Sequence, residues 1–301
     1  MLAVLLLTLL ASACSPAPAS SPDASASTAT APPPPVTPSA IPSTPVPSAS
    51  VSKKPTSSPS PSSPSPSSSR KRSSSLAGDR RNQLAFAPVD DPSQITVEGR
   101  VSQTQAWSTS KVLVVAAYLA TAVEGHPDRV SPRNRQLIEA ALTRSDAAAV
   151  VAIRGQIRGR PGPAMTRVLR AIGDEETTAP DRSQGLMSWS AREQVRFMAA
   201  LANGRVVSKA ASAYLLRVMH PVRAHAWGLG TVGASAFKGG WLRADTVTRQ
   251  MGLVDGYAVA IITDGVGPAV LQSDGDRAHV QQMNRLAALL RDRLEDERRR
   301  R

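Results

Sequence analysis

Past about Gly78 the chain reads as four successive blocks, set by how its apolar positions recur. Short apolar runs at Leu84 to Val89 and Gln94 to Glu98, split by the turn signal Asp90-Asp91-Pro92-Ser93, predict an antiparallel strand pair. A helical block follows. Its first member spans about Ser108 to Val123, with Val112, Val115, Ala116 and Leu119 at helical spacing and Ser108 or Ser110 placed to cap it. The next helix starts after Ser131-Pro132 and runs to the neighbourhood of Ser145. Others are predicted at Ala148 to Ile153, Ala164 to Ile172, Ala191 to Leu201 and Ser208 to Val218. Three strands come next, at Ala234 to Trp241, Val247 to Val254 and Tyr257 to Thr263, the last two joined by the hairpin signal Asp255-Gly256. An amphipathic helix from about Asp276, apolar at Val280, Met283, Leu286, Leu290 and Leu294, completes the pattern. The order implies an α/β (α+β) fold: an antiparallel sheet built from both chain ends, with flanking helices and an inserted helical lobe.

Before Gly78 this patterning disappears. From Ser15 to about Ser75 almost every residue is Ser, Pro, Ala or Thr. Such a stretch lacks the apolar surface to offset chain entropy and is expected to stay extended, stiffened by its prolines. Met1 to Ala13 is apolar apart from Thr8 and Ser12, too short to span a bilayer and suited to a signal peptide. Ala11-Ser12-Ala13 offers a peptidase site directly before Cys14, the single cysteine of the chain, so no intramolecular disulfide is expected. The arrangement resembles a bacterial lipoprotein signal, which implies a lipid anchor at Cys14 and an exported protein facing the cell wall. It departs from that pattern at Ala11, where Leu is usual, and in lacking Lys or Arg ahead of the apolar run. Plain secretion, with Cys14 incidental, is the alternative. The expected divisions are a signal peptide (1–13), a tether (14–77), a folded domain (78–296) and a basic tail (297–301).

Charge adds less. The net charge is +13 over 301 residues. Five basic residues and Asp23 lie before Gly78, which leaves +9 on the remainder. Nucleic acid, anionic lipid or wall polymer are the possible acidic partners. With aromatics at 3% of residues, stacking platforms for single strands are not expected. For an exported protein, membrane or wall is a more natural acidic neighbour than nucleic acid, and the leading expectation is a solvated arginine-rich surface that needs no acidic partner. The four histidines show no paired ligand spacing and have no cysteine partners, so no metal or other cofactor is expected. His220 and His225, flanking Pro221-Val222-Arg223, read as loop residues.

The candidate chemistry begins at Ser108-Thr109-Ser110-Lys111. At a helix start, positions i and i+3 share a face, so the lysine amine can reach the serine hydroxyl and, if neutral, take its proton. The same spacing occurs at Ser50/Lys53, Ser68/Lys71 and Ser235/Lys238, but only Ser108/Lys111 opens a long apolar helix. Lysine is also scarce: from Gly78 onward the chain holds only Lys111, Lys209 and Lys238, where arginine serves everywhere else. Arginine cannot be deprotonated, so a lysine kept against that trend points to a site needing a compact, titratable amine.

Ser145-Asp146-Ala147 after a predicted helix, and Lys238-Gly239-Gly240 in a predicted strand, complete an order that resembles the class A β-lactamase and penicillin-binding protein family, with its Ser-x-x-Lys, Ser-Asp-Asn and Lys-Thr-Gly motifs. The resemblance spans roughly residues 83 to 295. It implies Ser108 as nucleophile and Lys111 as its proton acceptor. Ser145 relays a proton to the leaving nitrogen, and Lys238 holds Ser145 and steers an anionic substrate. The backbone N–H groups of Ser108 and Trp241 form the oxyanion hole, with Gly240 and Asp146 in the substrate-binding set and Arg249 gripping a substrate carboxylate. The implied substrate is a β-lactam or a peptidoglycan-like acyl-D-amino-acid amide, taken by a monomer.

The motifs also depart from the family. Ala147 replaces the asparagine, Gly239 the hydroxyl residue, and Trp241 stands where a small residue is usual. The family's deacylating glutamate falls on Gln184, which cannot act as a general base. Glu175 or Glu176 would have to substitute. Ser108 and Ser145, 37 residues apart, are also closer than usual. The expectation is therefore an acyl-enzyme that forms and then persists. The alternative is a degenerate envelope lipoprotein that uses the fold to bind wall material or a partner.

Overall fold

The computed structural model describes residues 75–242, 246–265 and 277–301. Cys14, the signal peptide and the tether up to residue 74 lie outside the described residues, as does Asp276. The described chain begins with Leu76 already buried, so the folded region starts slightly ahead of the expected boundary at Gly78.

Five strands, β1 (Asn82–Pro88), β2 (Thr96–Gly99), β3 (Ala236–Trp241), β4 (Thr248–Val254) and β5 (Tyr257–Thr263), form one antiparallel sheet in the order β2-β1-β5-β4-β3. The two ends of the chain meet where β1 pairs with β5, from Asn82↔Thr263 to Pro88↔Tyr257. Alternation along the strands divides the core. Leu84, Phe86, Val259 and Ile261 face the terminal helix α7 (Arg277–Arg300), against Met283, Leu286 and Leu290. Ala85, Ala87, Ala258 and Ala260 face the other way, and their small side chains admit the helical lobe. Both faces are covered, which is why these strands read as continuous apolar runs.

The lobe comprises α1 (Ser110–Thr121), α2 (Pro132–Thr143), α3 (Ala147–Arg154), α4 (Pro161–Ala171), α5 (Ala191–Ala202) and α6 (Lys209–Val218). Helix α1 is buried from Ser110 through Leu119, as expected of a helix apolar on every side. Ser131, Asp146, Ser190 and Ser208 cap α2, α3, α5 and α6, each accepting a backbone N–H with its side chain. Neither expected cap of α1 serves that role. The Ser110 hydroxyl donates to the Trp107 carbonyl at 2.6 Å, and Ser108 lies in a 3-10 turn (Trp107–Thr109) with its hydroxyl turned toward Lys111. The basic tail is not separate either. Helix α7 continues through Arg300, and Arg298 reaches Asp255 at 3.3 Å, because charged residues propagate a helix as readily as apolar ones.

Candidate active site

Ser108 sits at the junction between the 3-10 turn and α1, and neighbouring groups fix that turn. Trp107 before it has φ +44°, a strained value for a residue with a bulky side chain. The Thr109 hydroxyl donates to the Ala106 carbonyl and accepts from Gln194 Nε2 at 2.8 Å. From the sheet, Gly240 lies directly against the turn. A Cβ there would stand 2.8 Å from the Ala106 oxygen and 2.9 Å from the Ser108 and Thr109 nitrogens. Only glycine lets strand β3 approach this closely.

Lys111, one turn along α1, donates to Ser108 Oγ at 2.8 Å. It is 7% exposed, and burial lowers its pKa from 10.5 to about 8, opposed in part by the Asp146 carboxylate. A substantial fraction of this amine is therefore neutral near pH 8, the form able to accept a proton.

Ser145 lies on the three-residue link between α2 and α3 at φ +59°, a left-handed conformation that folds the link tightly. Lys238 Nζ donates to Ser145 Oγ and, at 2.8 Å, to the Gly239 carbonyl. Its pKa is held well below the usual lysine range by burial and then by the charge of Lys111. Two ammonium groups beside one cleft cannot both be charged without penalty. Ser108, Lys111, Ser145 and Trp241 line a cleft of about 330 Å³, with Lys238 behind Ser145. A larger cavity, about 530 Å³ between β2 and α7, holds none of these groups.

Two residues expected to bind substrate lie elsewhere. Arg249, expected on a substrate carboxylate, is fully buried and donates to the carbonyls of Thr104, Gln105 and Trp189 at 2.6, 2.6 and 2.8 Å. It pairs across the sheet with Gly240 and so shares that residue's face, beneath the Ser108 turn. Its guanidinium is a strut for the segment leading to Ser108. Asp146 is the α3 cap, accepting from the Ala149 N–H at 2.9 Å, and reaches the site only through its field on Lys111.

Gln184 lines the cleft, buried, and its Oε1 accepts from Arg154 Nη1 at 2.6 Å. That bond leaves the amide's donor end free to face other groups. Glu175 is 75% exposed and pairs with Arg170 at 3.3 Å, and neither it nor Glu176 is among the cleft-lining residues, so they do not substitute for a glutamate at Gln184. Ala147 also lines the cleft and presents only a methyl group.

Sequence reasoning set His225 aside as a loop residue, yet it lines the cleft and meets Trp241 edge-on at 5.0 Å between ring centroids. Its pKa lies below the usual histidine value because of burial and the nearby Lys238. No local motif marks it. Arg154 was missed for the same reason: its partner Gln184 lies 30 residues away.

A profile of the Beta-lactamase enzyme family matches residues 126–294, more than half of the chain, taking in Ser145 and Lys238 and beginning after Lys111. Among solved structures, the chromosome-encoded beta-lactamase of Vibrio parahaemolyticus is similar at 18% identity, covering 71% of this chain and 93% of that one with a TM-score of 0.54. PBP-A is similar at 19% identity over 74% of this chain and 92% of its own, TM-score 0.51. A beta-lactamase from Chitinophaga pinensis gives 15%, 71%, 94% and 0.52. At these identities the likeness bears on the fold. Among curated proteins none matches the sequence significantly.

Proposed function

The chain belongs to the beta-lactamase enzyme family, and from that premise we propose that it is a serine hydrolase acylated at Ser108 by β-lactams or acyl-D-amino-acid-like amides, with slow deacylation. The observation that carries this reading is the 2.8 Å contact between a buried lysine of lowered pKa and the Ser108 hydroxyl. Neutral Lys111 takes the hydroxyl proton as Oγ attacks the carbonyl carbon. The Ser108 and Trp241 N–H groups receive the developing oxyanion. As the C–N bond breaks, Ser145, held by Lys238, relays to the leaving nitrogen the proton that Lys111 took, which leaves the Ser145 hydroxyl intact and Lys111 neutral again. The product is an acyl-Ser108 ester.

Releasing that ester needs an activated water. Gln184 supplies no base, and its carbonyl oxygen is already engaged by Arg154. The ester is therefore long-lived. Labelling with a fluorescent penicillin tests the reading: the wild type takes the label, and Ser108→Ala does not.

A second reading, a binding protein that keeps the fold without turnover, is favoured by Ala147, Gly239 and Gln184. It requires that the wild type take no label at all. The proposal extends to location. Met1 to Ala13 followed by Cys14 supports export and lipid anchoring, with residues 14–77 as a spacer. A diacylglyceryl-sized mass increment on a mature N-terminal Cys14 is the expected result, and an unmodified terminus would remove the anchor.

A further inference from the structure

The two departures in the third motif, Gly239 and Trp241, are one feature in space. A Cβ at Gly239 would stand 3.1 Å from Cζ3 of Trp241, so the indole lies back across the strand where a side chain at 239 would project. The ring is buttressed. His225 meets it edge-on, and Trp227 lies behind it at 5.3 Å between centroids. Trp227 is fixed in turn by Gln250, whose Nε2 donates to the Trp227 carbonyl at 2.9 Å while its Oε1 accepts the Leu229 N–H at 2.7 Å. In a chain with only four tryptophans, Trp107 and Trp241 line this cleft and Trp227 backs it. Leu242, 45% exposed, continues the apolar surface at the rim, and Leu186, 60% exposed, follows the cleft residues Gln184 and Gly185.

Among the described residues, the groups expected to hold a carboxylate here are missing or engaged. Gly239 offers no hydroxyl, and Arg249 is bound to three backbone carbonyls. Lys238 is held by Ser145 and the Gly239 carbonyl. His225, its pKa lowered, adds no cation near neutral pH. Arg144 also lines the cleft, but from an exposed position where an ion pair in water gains little.

We infer that Trp241, seated over Gly239 and braced by His225 and Trp227, makes this end of the cleft a subsite for an apolar or aromatic group, so that the preferred substrates are amides or esters without a free carboxylate there. The inference rests on Ser108 being the acylated residue and names the substrate class of that same site.

The test compares a penicillin with its own carboxylate benzyl ester, using the full chain and the rate of mass gain on Ser108. The ester is expected to acylate at least as fast as the acid. Trp241→Ala is expected to lower the ester-to-acid rate ratio about tenfold, the scale of a lost aromatic contact plus its buried area. The double variant Gly239→Thr/Trp241→Ala is expected to turn the preference toward the acid. An acid preference of about tenfold or more in the wild type, or a ratio indifferent to Trp241→Ala, would overturn the inference. Binding of both compounds to Ser108→Ala, followed by tryptophan fluorescence, separates the two proposals. Ester preference there, without any wild-type adduct, would remove the acylation reading and sustain the subsite. Acid preference there would remove the subsite alone.

Discussion

If neutral Lys111 accepts the Ser108 proton, the acylation rate must follow the neutral fraction of that lysine. With a pKa of about 8, roughly one tenth of the amine is neutral at pH 7 and roughly nine tenths at pH 9. Acylation under single-turnover conditions should therefore rise about tenfold between those values and then level off. A lysine at its ordinary 10.5 would give a rise of nearly a hundredfold over the same interval with no plateau. Asp146→Asn sharpens the test. Asparagine caps a helix as well as aspartate does, so α3 should persist. The variant lacks the negative charge that raises the Lys111 pKa, so its profile should move to lower pH. The same pKa shift reaches stability. Between about 8 and 10.5 the unfolded chain holds a proton on Lys111 that the folded chain has released, so stability rises with pH across that window. The full increment is about 3 kcal/mol, and Lys111→Met should remove it from denaturant-melt differences measured at pH 7 and pH 10.5. A rate that climbs without a plateau to pH 10, or an Asp146→Asn profile displaced upward, would rule out Lys111 as the proton acceptor.

Three further outcomes follow from the contacts. Gln184→Glu places a carboxylate beside Arg154, which keeps it ionised, so the acyl-enzyme lifetime followed by intact mass should shorten by about tenfold or more. Arg249→Met removes the guanidinium donors of the Gln105 and Trp189 carbonyls, while the Thr104 oxygen still accepts the Trp189 N–H, and should lower unfolding free energy by about 2–4 kcal/mol in urea melts. Gly240→Ala drives a methyl into the backbone of the Ser108 turn, so acylation should fall by about a hundredfold even where circular dichroism shows a folded chain.

Much of this arrangement was legible in the sequence, and the exceptions have physical causes. The strand from Tyr257 to Thr263 was bounded correctly because the Asp255-Gly256 turn fixes one end and apolar continuity the rest. Helix α1 was legible because a buried helix is apolar on every side. Arg249 lies on the Gly240 face of the sheet, and its role was illegible because the carbonyls that hold it, those of Thr104, Gln105 and Trp189, are 60 to 145 residues away in the chain. His225 and the Arg154–Gln184 bond were invisible because they join segments far apart in the chain. Gly239 and Trp241 were seen as two separate losses. Only their positions reveal that the missing side chain makes room for the ring.

Acylation of Ser108 with slow release of the acyl group is read from a single time course of intact mass with a penicillin. One added penicillin per chain is expected, mapped to the peptide containing Ser108, absent in Ser108→Ala and still present after hours. No adduct on the wild-type chain at any time, or one placed on another residue, would contradict it.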